Sequence, residues 1–201
     1  MIKNFWNWFA ENEWHIRKAI YVQDKTPGNI LESLFVYLEA FCPPLTCMMQ
    51  SGSNSKKYEI TISPRGNPDA IMLAATLAQA APAIPNWKIK AFVGPQSNYE
   101  HLISTPYPLF GINIIPNTIN FYVYDADWER ERYDLILLLP LSLKVWDDTT
   151  LFHYFYSLLV DLWGEIYVTR RINNLMFTFH AEQEFCFIDF EAIGSLDYFK
   201  G

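Results

Sequence analysis

The sequence has no cluster of basic residues. Lysine and arginine together number 15, against 22 aspartate and glutamate residues, so the formal net charge at pH 7 is −7. Nucleic acids and anionic lipid surfaces are bound by clustered Lys and Arg side chains. The composition therefore predicts a protein that binds neither nucleic acid nor a membrane surface.

Cysteine is scarce and follows no ligand pattern. The three cysteines, Cys42, Cys47 and Cys186, are an odd number and form no CxxC pair. Disulfide frameworks use an even number of cysteines, and zinc ribbons use paired CxxC motifs. We therefore expect reduced thiols in a cytoplasmic protein, with a Cys42–Cys47 bridge across CPPLTC as the less favoured alternative.

Long apolar runs are missing from the sequence as well. The most apolar stretch, LILLLPLSL at residues 135–143, is much shorter than the roughly 20 residues that a membrane span needs. The first residues contain no continuous apolar segment followed by a small-residue cleavage site, so they do not resemble a signal peptide. These features predict a soluble, cytoplasmic protein.

No stretch carries a complete catalytic motif. His153, Ser157 and Asp161 follow one another along one predicted helix, but a hydrolase triad needs the histidine between the nucleophile and the carboxylate. The GxSxG elbow of many hydrolases is also missing. We therefore predict no catalytic residues and interpret this line of side chains as the polar stripe of a helix.

Cofactor and metal motifs are equally incomplete. His180, Glu182 and Glu184 of HAEQE could supply three metal ligands in an extended chain, although a solvated hairpin tip explains them better. The stretch SPRGNPD places a glycine before a helix start but lacks the glycine and lysine spacing of a phosphate loop. The sequence therefore predicts no metal and no cofactor.

Aromatic residues, in contrast, are abundant. Hydrophobic residues make up 51% of the chain and aromatic residues 17%, with 7 Trp, 12 Tyr and 15 Phe. This material suffices for a dense core and leaves enough over for an apolar surface that a partner or ligand would cover.

The order of predicted elements indicates an internal repeat. Each half contains two strands joined by a polar turn, then a helix and a further strand, with EIYVT at residues 165–169 read as extended and NNLMFTFH and EFCFIDF as a last hairpin. We predict a single domain, 1–201, of two ββαβ halves, 1–93 and 119–201, joined by an irregular Pro-rich crossing at 94–118. This order predicts an α+β fold, with helices on one face of a mostly antiparallel sheet.

The chain opens with FWNWF at residues 5–9. Helical spacing places Phe5, Phe9 and a later isoleucine on one apolar face, which predicts a lid on the core. Asn12 and Glu13 project into the same sector, and a buried carboxylate needs a partner or a shifted pKa. Trp14 projects from the opposite side, where an isolated exposed Trp often marks a contact surface.

Three stretches support a family resemblance. FWNWF followed by Asn12-Glu13, the segment LAQAAPAIPNWKIKAF, and WGEIYVT resemble an uncharacterised family of bacterial proteins with an FWxWF…NE opening, an AAPxxPxWK segment and an LGEY-like segment. The resemblance implies a shared fold and no catalytic residues. It also singles out Asn12, Glu13, Trp87 and Glu165 as motif positions.

Two further groups of residues are candidate binding residues. Tyr156 and Trp163 lie outside the leucine face of the last long helix, which favours association with another protein. Arg170 and Arg171 are the only adjacent arginines in the sequence, and one of them is expected to pair with Glu13 or Glu165.

Two functions are consistent with these patterns. The first is a non-enzymatic protein-interaction or accessory module, such as an immunity-type regulator, with a protein partner or a second copy of the chain on its aromatic surface. The alternative is a small-molecule-binding module or enzyme, with a pocket between the first helix and the sheet. That pocket would use Glu13, Trp87 and one guanidinium of Arg170 or Arg171.

Overall fold

The computed structural model describes residues 2–26, 28–41, 43–51, 57–180 and 188–189. The chain divides into two compact units, Met1–Val93 and Gly94–Gly201. Within the described residues, helices accompany three β-sheets, and four of the six strand pairings are antiparallel. The predicted α+β class is confirmed.

The first unit contains three α-helices and a three-stranded sheet. In chain order the elements are α1 (Ile2–Val22), α2 (Ile30–Phe41), β1 (Thr46–Ser51), β2 (Tyr58–Ser63), α3 (Ile71–Gln79) and β3 (Trp87–Ala91). Strands β1 and β2 form an antiparallel hairpin, and β3 lies parallel to β2 on its other side. The Asn29 side chain caps α2 by accepting the backbone N–H groups of Leu31 and Glu32.

One face of this sheet carries the core of the first unit. Cys47, Ile60 and Ile62 alternate with outward-facing residues and pack against all three helices. The opposite face is polar: Glu59 pairs with Lys88 at 3.1 Å and with Lys90 at 2.5 Å. The helices of this unit therefore lie on one face of its sheet, as predicted.

The aromatic start of α1 is buried in that core. Phe5, Trp6 and Phe9 are at most 2% exposed, and burial of each ring contributes about 1.5–3 kcal/mol. The Trp6 Nε1–H group donates a 2.8 Å hydrogen bond to the Leu77 carbonyl of α3, so the indole is satisfied within the apolar environment. The predicted role of this segment as a lid on the core is confirmed.

The second unit contains a longer series of elements. They are α4 (Tyr99–Ser104), β4 (Tyr107–Leu109), β5 (Ile112–Ile114), β6 (Asn120–Asp127), β7 (Arg132–Leu138), α5 (Asp148–Trp163), α6 (Glu165–Arg171), β8 (Ile172–Thr178) and β9 (Ile188–Asp189). Strands β4 and β5 form a small antiparallel hairpin. Among the described residues the larger sheet has the strand order β8-β7-β6-β9, with β7 and β8 parallel and the other two pairings antiparallel.

The two units share a strand topology. In each, an antiparallel hairpin (β1–β2 or β6–β7) is followed by a helical crossover to a strand (β3 or β8) that pairs in parallel with the second hairpin strand. This arrangement is the ββαβ order that the sequence predicts for each half, but in the second unit the last strand is β8 and not the predicted residues 165–169.

Two local predictions are wrong. The 94–118 segment is not irregular throughout, because Asn98 caps α4 by accepting the His101 N–H, and a hairpin with Gly111 at φ +82° follows. Residues 165–169 are not extended, because they belong to α6. Gly164 adopts φ 83° and ψ 149°, which ends α5 and lets a second helix begin at once.

The second strand of the predicted last hairpin lies mostly outside the described residues. Ile188 and Asp189 are described, and they pair with β6, at the other edge of the sheet from β8. For these two residues the predicted pairing with NNLMFTFH is wrong. Cys42, Glu182, Glu184 and Cys186 also lie outside the described residues.

Candidate functional site

In the first unit the structure brings Glu13 and Trp87 together. The Glu13 carboxylate accepts hydrogen bonds from Arg17 Nε at 2.6 Å and Arg17 Nη2 at 3.0 Å, and from Trp87 Nε1 at 3.3 Å. The hydrogen bond from Arg17 is the main reason why the pKa of Glu13 is lowered, and the Trp87 N–H contributes in the same direction. Glu13 is therefore satisfied by an ion pair within α1 and by the first residue of β3.

Arg17 is the residue that the sequence reasoning missed at this position. Its guanidinium lies 5.8 Å from the centre of the Tyr58 ring, and Tyr58 is paired with Trp87 across the parallel strands. The signal was present, because Glu13 and Arg17 are four residues apart on one helix, the spacing at which opposite charges meet. The arrangement attaches α1 to the sheet.

Asn12 and Trp14 have separate local roles. The Asn12 side-chain amide donates to the Trp8 carbonyl of its own helix at 2.9 Å. Trp14 is 54% exposed, and the ammonium group of Lys18 lies 5.5 Å from the centre of its ring. Trp14 is therefore an exposed aromatic side chain on the outer side of α1, as its spacing predicts.

In the second unit, the half-buried Tyr156 lies near the buried residues Glu165 and Thr169. The Tyr156 hydroxyl lies 3.4 Å from the Thr169 hydroxyl, and Glu165 is only 2% exposed. Burial raises the pKa of Tyr156, and the nearby Glu165 carboxylate acts in the same direction. The tyrosine hydroxyl therefore stays protonated and joins α5 to α6.

Trp163 and Arg171 share a neighbour, Tyr167. The Trp163 and Tyr167 ring centres are 5.7 Å apart, and the Arg171 guanidinium lies 5.7 Å from the same tyrosine ring. Arg171 forms an ion pair with Glu131, so the expected pairing of this arginine with Glu13 or Glu165 is wrong. Arg170 is exposed.

A line of side chains along α5 is not a catalytic relay. The Ser157 hydroxyl donates to the His153 carbonyl at 2.8 Å, while the Asp161 carboxylate accepts from the Tyr107 hydroxyl at 2.8 Å and from the Gln96 amide at 2.9 Å. Burial, followed by the Asp161 carboxylate, raises the pKa of Tyr107. Asp161 thus anchors the 94–118 segment to α5.

An open groove of about 620 Å³ lies between the first half of α5 and strand β8. The described residues that line it come from these two elements: Asp148, Thr149, Phe152, His153, Leu175, Met176 and Phe177. Phe152 is 40% exposed and stacks on Tyr156, with ring centres 5.8 Å apart and an interplanar angle of 20°. The candidate residue Tyr156 therefore supports the wall of this groove, which sequence reasoning did not predict.

The backbone of β8 presents polar groups at the outer edge of the strand. β8 is the terminal strand of its sheet among the described residues. The Thr178 carbonyl accepts from the Leu139 N–H at 2.8 Å, so the backbone polar groups of Thr178 point toward the β7 side. Because successive residues alternate, the N–H and C=O groups of Leu175 and Phe177 point to the opposite, outer edge.

The described residues contain no metal-binding group of side chains and no thiol that is reactive at neutral pH. No group of three or more His, Cys, Asp or Glu side chains among them is arranged to hold a metal ion. Burial raises the pKa of the Cys47 thiol to about 12, so this thiol stays protonated and poorly reactive at neutral pH. Among the described helices, none combines the length and apolar composition of a membrane span.

Comparisons of the chain with protein-family models, with curated proteins and with solved structures give no match. The resemblance to the FWxWF…NE family therefore stays a prediction.

Proposed function

We propose that this protein is a non-enzymatic protein-interaction module whose binding surface is the groove between α5 and β8. The observation that carries the proposal is Phe152, a 40% exposed aromatic side chain beside an open groove of about 620 Å³. Exposed aromatic side chains that fill a partner's pocket supply much of the binding energy of protein interfaces.

The composition of the groove supports a protein ligand. Leu175, Met176 and Phe177 supply apolar surface, while Asp148, Thr149 and His153 supply a polar rim. An apolar centre with a polar rim is the usual anatomy of a protein-binding surface. The net charge of −7 further supports a protein partner over a nucleic acid, and we place the interaction in the cytoplasm because the cysteines show no disulfide pattern.

The alternative function, a small-molecule pocket under α1, has weaker support. It depends on a Glu13 carboxylate that is free to bind a ligand. That carboxylate already accepts three hydrogen bonds from Arg17 and Trp87, which is the arrangement of a structural brace.

Site-specific crosslinking tests the proposal in the native host. A photo-crosslinking amino acid in place of Thr149, which is exposed and lines the groove, should yield a defined protein adduct. The same amino acid in place of Tyr21, 80% exposed in the first unit, is the matched control and should not give that adduct. Absence of an adduct at Thr149, or the same adduct at both positions, would contradict the proposal.

Binding of the purified partner then tests the role of the anchor. Phe152→Ser should weaken the complex by at least about tenfold, because it removes an aromatic contact at the centre of the interface. Phe35→Ser removes a phenylalanine of similar exposure, 42%, from the first unit and should leave the affinity within about twofold. Titration calorimetry with both variants provides the comparison.

A further inference from the structure

We propose that the groove binds an extended, basic segment of a partner protein, which adds to the sheet as a further strand beside β8. This inference rests on the proposed function and names the chemistry of the partner segment. It is supported by three properties of the groove: the orientation of the β8 backbone, the spacing of the apolar side chains and the charge of the rim.

The β8 backbone supplies the first support. The N–H and C=O groups of Leu175 and Phe177 point away from β7, as the hydrogen bond between Leu139 N–H and the Thr178 carbonyl requires. Two residues separated by one position thus present donors and acceptors at the outer edge of the strand. In β-augmentation, an added strand forms main-chain hydrogen bonds with such outward-pointing groups, and these bonds provide the affinity.

The side chains of the same strand supply the second support. Leu175 and Phe177 lie two residues apart, so their side chains are on the same face of β8, and the Phe177 ring packs 5.6 Å from the Phe155 ring of α5. Phe152 stands on the opposite wall of the groove. An added strand with apolar side chains at every second position would place them between Phe152 and the Leu175–Phe177 pair.

The charge of the rim indicates a basic segment. Asp148 is the one carboxylate among the described lining residues, and none of them is Lys or Arg. Its neighbour Asp147 is already bonded to the Thr150 N–H and hydroxyl as the cap of α5, whereas the Asp148 side chain is exposed. A lysine or arginine on the bound segment would complement this charge and the net charge of −7.

A short synthetic peptide is the probe for this inference. An end-capped, fluorescent heptapeptide of alternating lysine and valine should bind the full chain with a Kd on the order of 10⁻⁴ M or tighter. Two control peptides test the two parts of the inference. A glutamate–valine peptide tests the charge, and a lysine–valine peptide with N-methylated backbone positions along one edge tests strand addition. Each control should bind about tenfold more weakly.

Variants of the chain connect the peptide to the groove. Asp148→Asn should weaken the lysine–valine peptide by about threefold, the range of an exposed ion pair, and should reduce its preference over the glutamate–valine peptide. Glu129→Gln removes an exposed carboxylate in the turn between β6 and β7 and should change neither value. If both variants behave alike, the assignment of charge recognition to Asp148 is wrong.

Amide hydrogen exchange locates the bound strand residue by residue. Excess lysine–valine peptide should slow exchange of the Leu175 and Phe177 amides by at least about tenfold, because both gain a partner. The Met176 amide points toward β7 and should change little. Peptide binding without protection of Leu175 and Phe177 overturns strand addition, as does a peptide that shows no binding at about 1 mM.

The outcomes separate this inference from the proposed function. A partner that crosslinks at Thr149 and needs Phe152, but leaves the Leu175 and Phe177 amides unprotected, supports the function and overturns the inference. A chain that forms a dimer through the groove, lost in Phe152→Ser and detected by sedimentation equilibrium, also overturns it, since the occupant is then a second copy. A peptide that protects both amides while Thr149 gives no adduct supports strand addition at β8, but it contradicts the proposed function and, with it, a partner protein as the natural occupant.

Discussion

The two units share one strand topology, but the strand that pairs in parallel, β3 or β8, has different neighbours in each unit. In the first unit, β3 is the strand added in parallel, and its first residue, Trp87, contacts both the Phe9 ring of α1 at 4.9 Å and the Glu13 carboxylate. In the second unit, β8 occupies the same place in the topology, and an open groove lies beside it. The order of the hairpin and the parallel strand is the same in both units. Whether β3 or β8 belongs to a closed core therefore depends on the elements that pack beside it.

The helices explain this difference. The first unit places α1 and α2, both rich in aromatic and aliphatic residues, ahead of its hairpin, and both contribute to the cluster that covers the sheet. In the second unit α5 covers one face with Leu151, Phe155 and Leu158, all fully buried. Its N-terminal turns carry Asp148 and Thr149 toward the groove, and polar residues at that position do not seal an apolar surface.

The largest expected effect is on the closed core of the first unit. Phe9→Ala should lower the free energy of unfolding by about 3–5 kcal/mol, because Phe9 is 0% exposed and its removal leaves a cavity. Phe152→Ala, at the groove of the second unit, should cost less than about 1 kcal/mol, because its ring is already 40% exposed. Urea denaturation of both variants measures the comparison, and equal losses would contradict it.

An intermediate effect is expected at the β4–β5 hairpin of the second unit. Gly111 has φ +82°, and a Cβ atom there would lie 3.0 Å from the Trp146 ring. Gly111→Ala should therefore destabilise the protein by about 1–2 kcal/mol through backbone strain and crowding. Gly94→Ala is the control, since a Cβ atom there meets nothing within 4 Å. Thermal denaturation should shift for the first variant and little for the second.

A smaller effect is expected where α1 is attached to the sheet of the first unit. Glu13→Gln weakens the bond to Arg17 and should cost about 1 kcal/mol or less, because both side chains are partly exposed to solvent. Asp69→Asn, a carboxylate that is exposed in the same unit, is the control and should cost less.

The same pair predicts a pH dependence. The pKa of Glu13 in the folded protein lies below the ordinary value of 4.5, so its stabilising contribution is complete above that value and is lost as the pH falls through the lowered pKa. In Glu13→Gln this part of the acid destabilisation should be missing. Denaturant titrations between about pH 3 and 6 measure the difference, and parallel curves for the two proteins would contradict the role of the pair.

Several features of the fold could be predicted because they depend on local periodicity. The spacing of Phe5, Phe9 and Ile16 on one helical face is sufficient to orient α1, and these residues are buried. Alternating strands and capped helices predict the ββαβ order of the first unit and the hairpin and long helix of the second. The sequence predicts a strand at residues 165–169 because Ile166, Tyr167, Val168 and Thr169 all favour strands. In the structure, the φ of 83° at Gly164 starts a new helix there.

The candidate site was harder to predict than the fold. The sequence indicates Glu13 and Trp87 separately as candidate site residues, but the hydrogen bond between them depends on how α1 crosses β3. Tyr156 was identified from helical spacing, while Phe152, one turn earlier, was not singled out although its ring is the more exposed of the two. The groove joins residues of α5 to residues of β8 that are more than twenty positions away in the chain.

The amino-acid sequence by itself determined the α+β class, the hairpin and helix of each unit and the burial of the aromatic start, because hydrophobic periodicity specifies which face of each element avoids water. Only the tertiary structure decided the hydrogen bond from Trp87 to Glu13, the pairing of Arg171 with Glu131 and the existence of the groove beside β8. These features depend on the distances between elements that are remote in sequence, and such distances are set by the packing of whole helices on sheets.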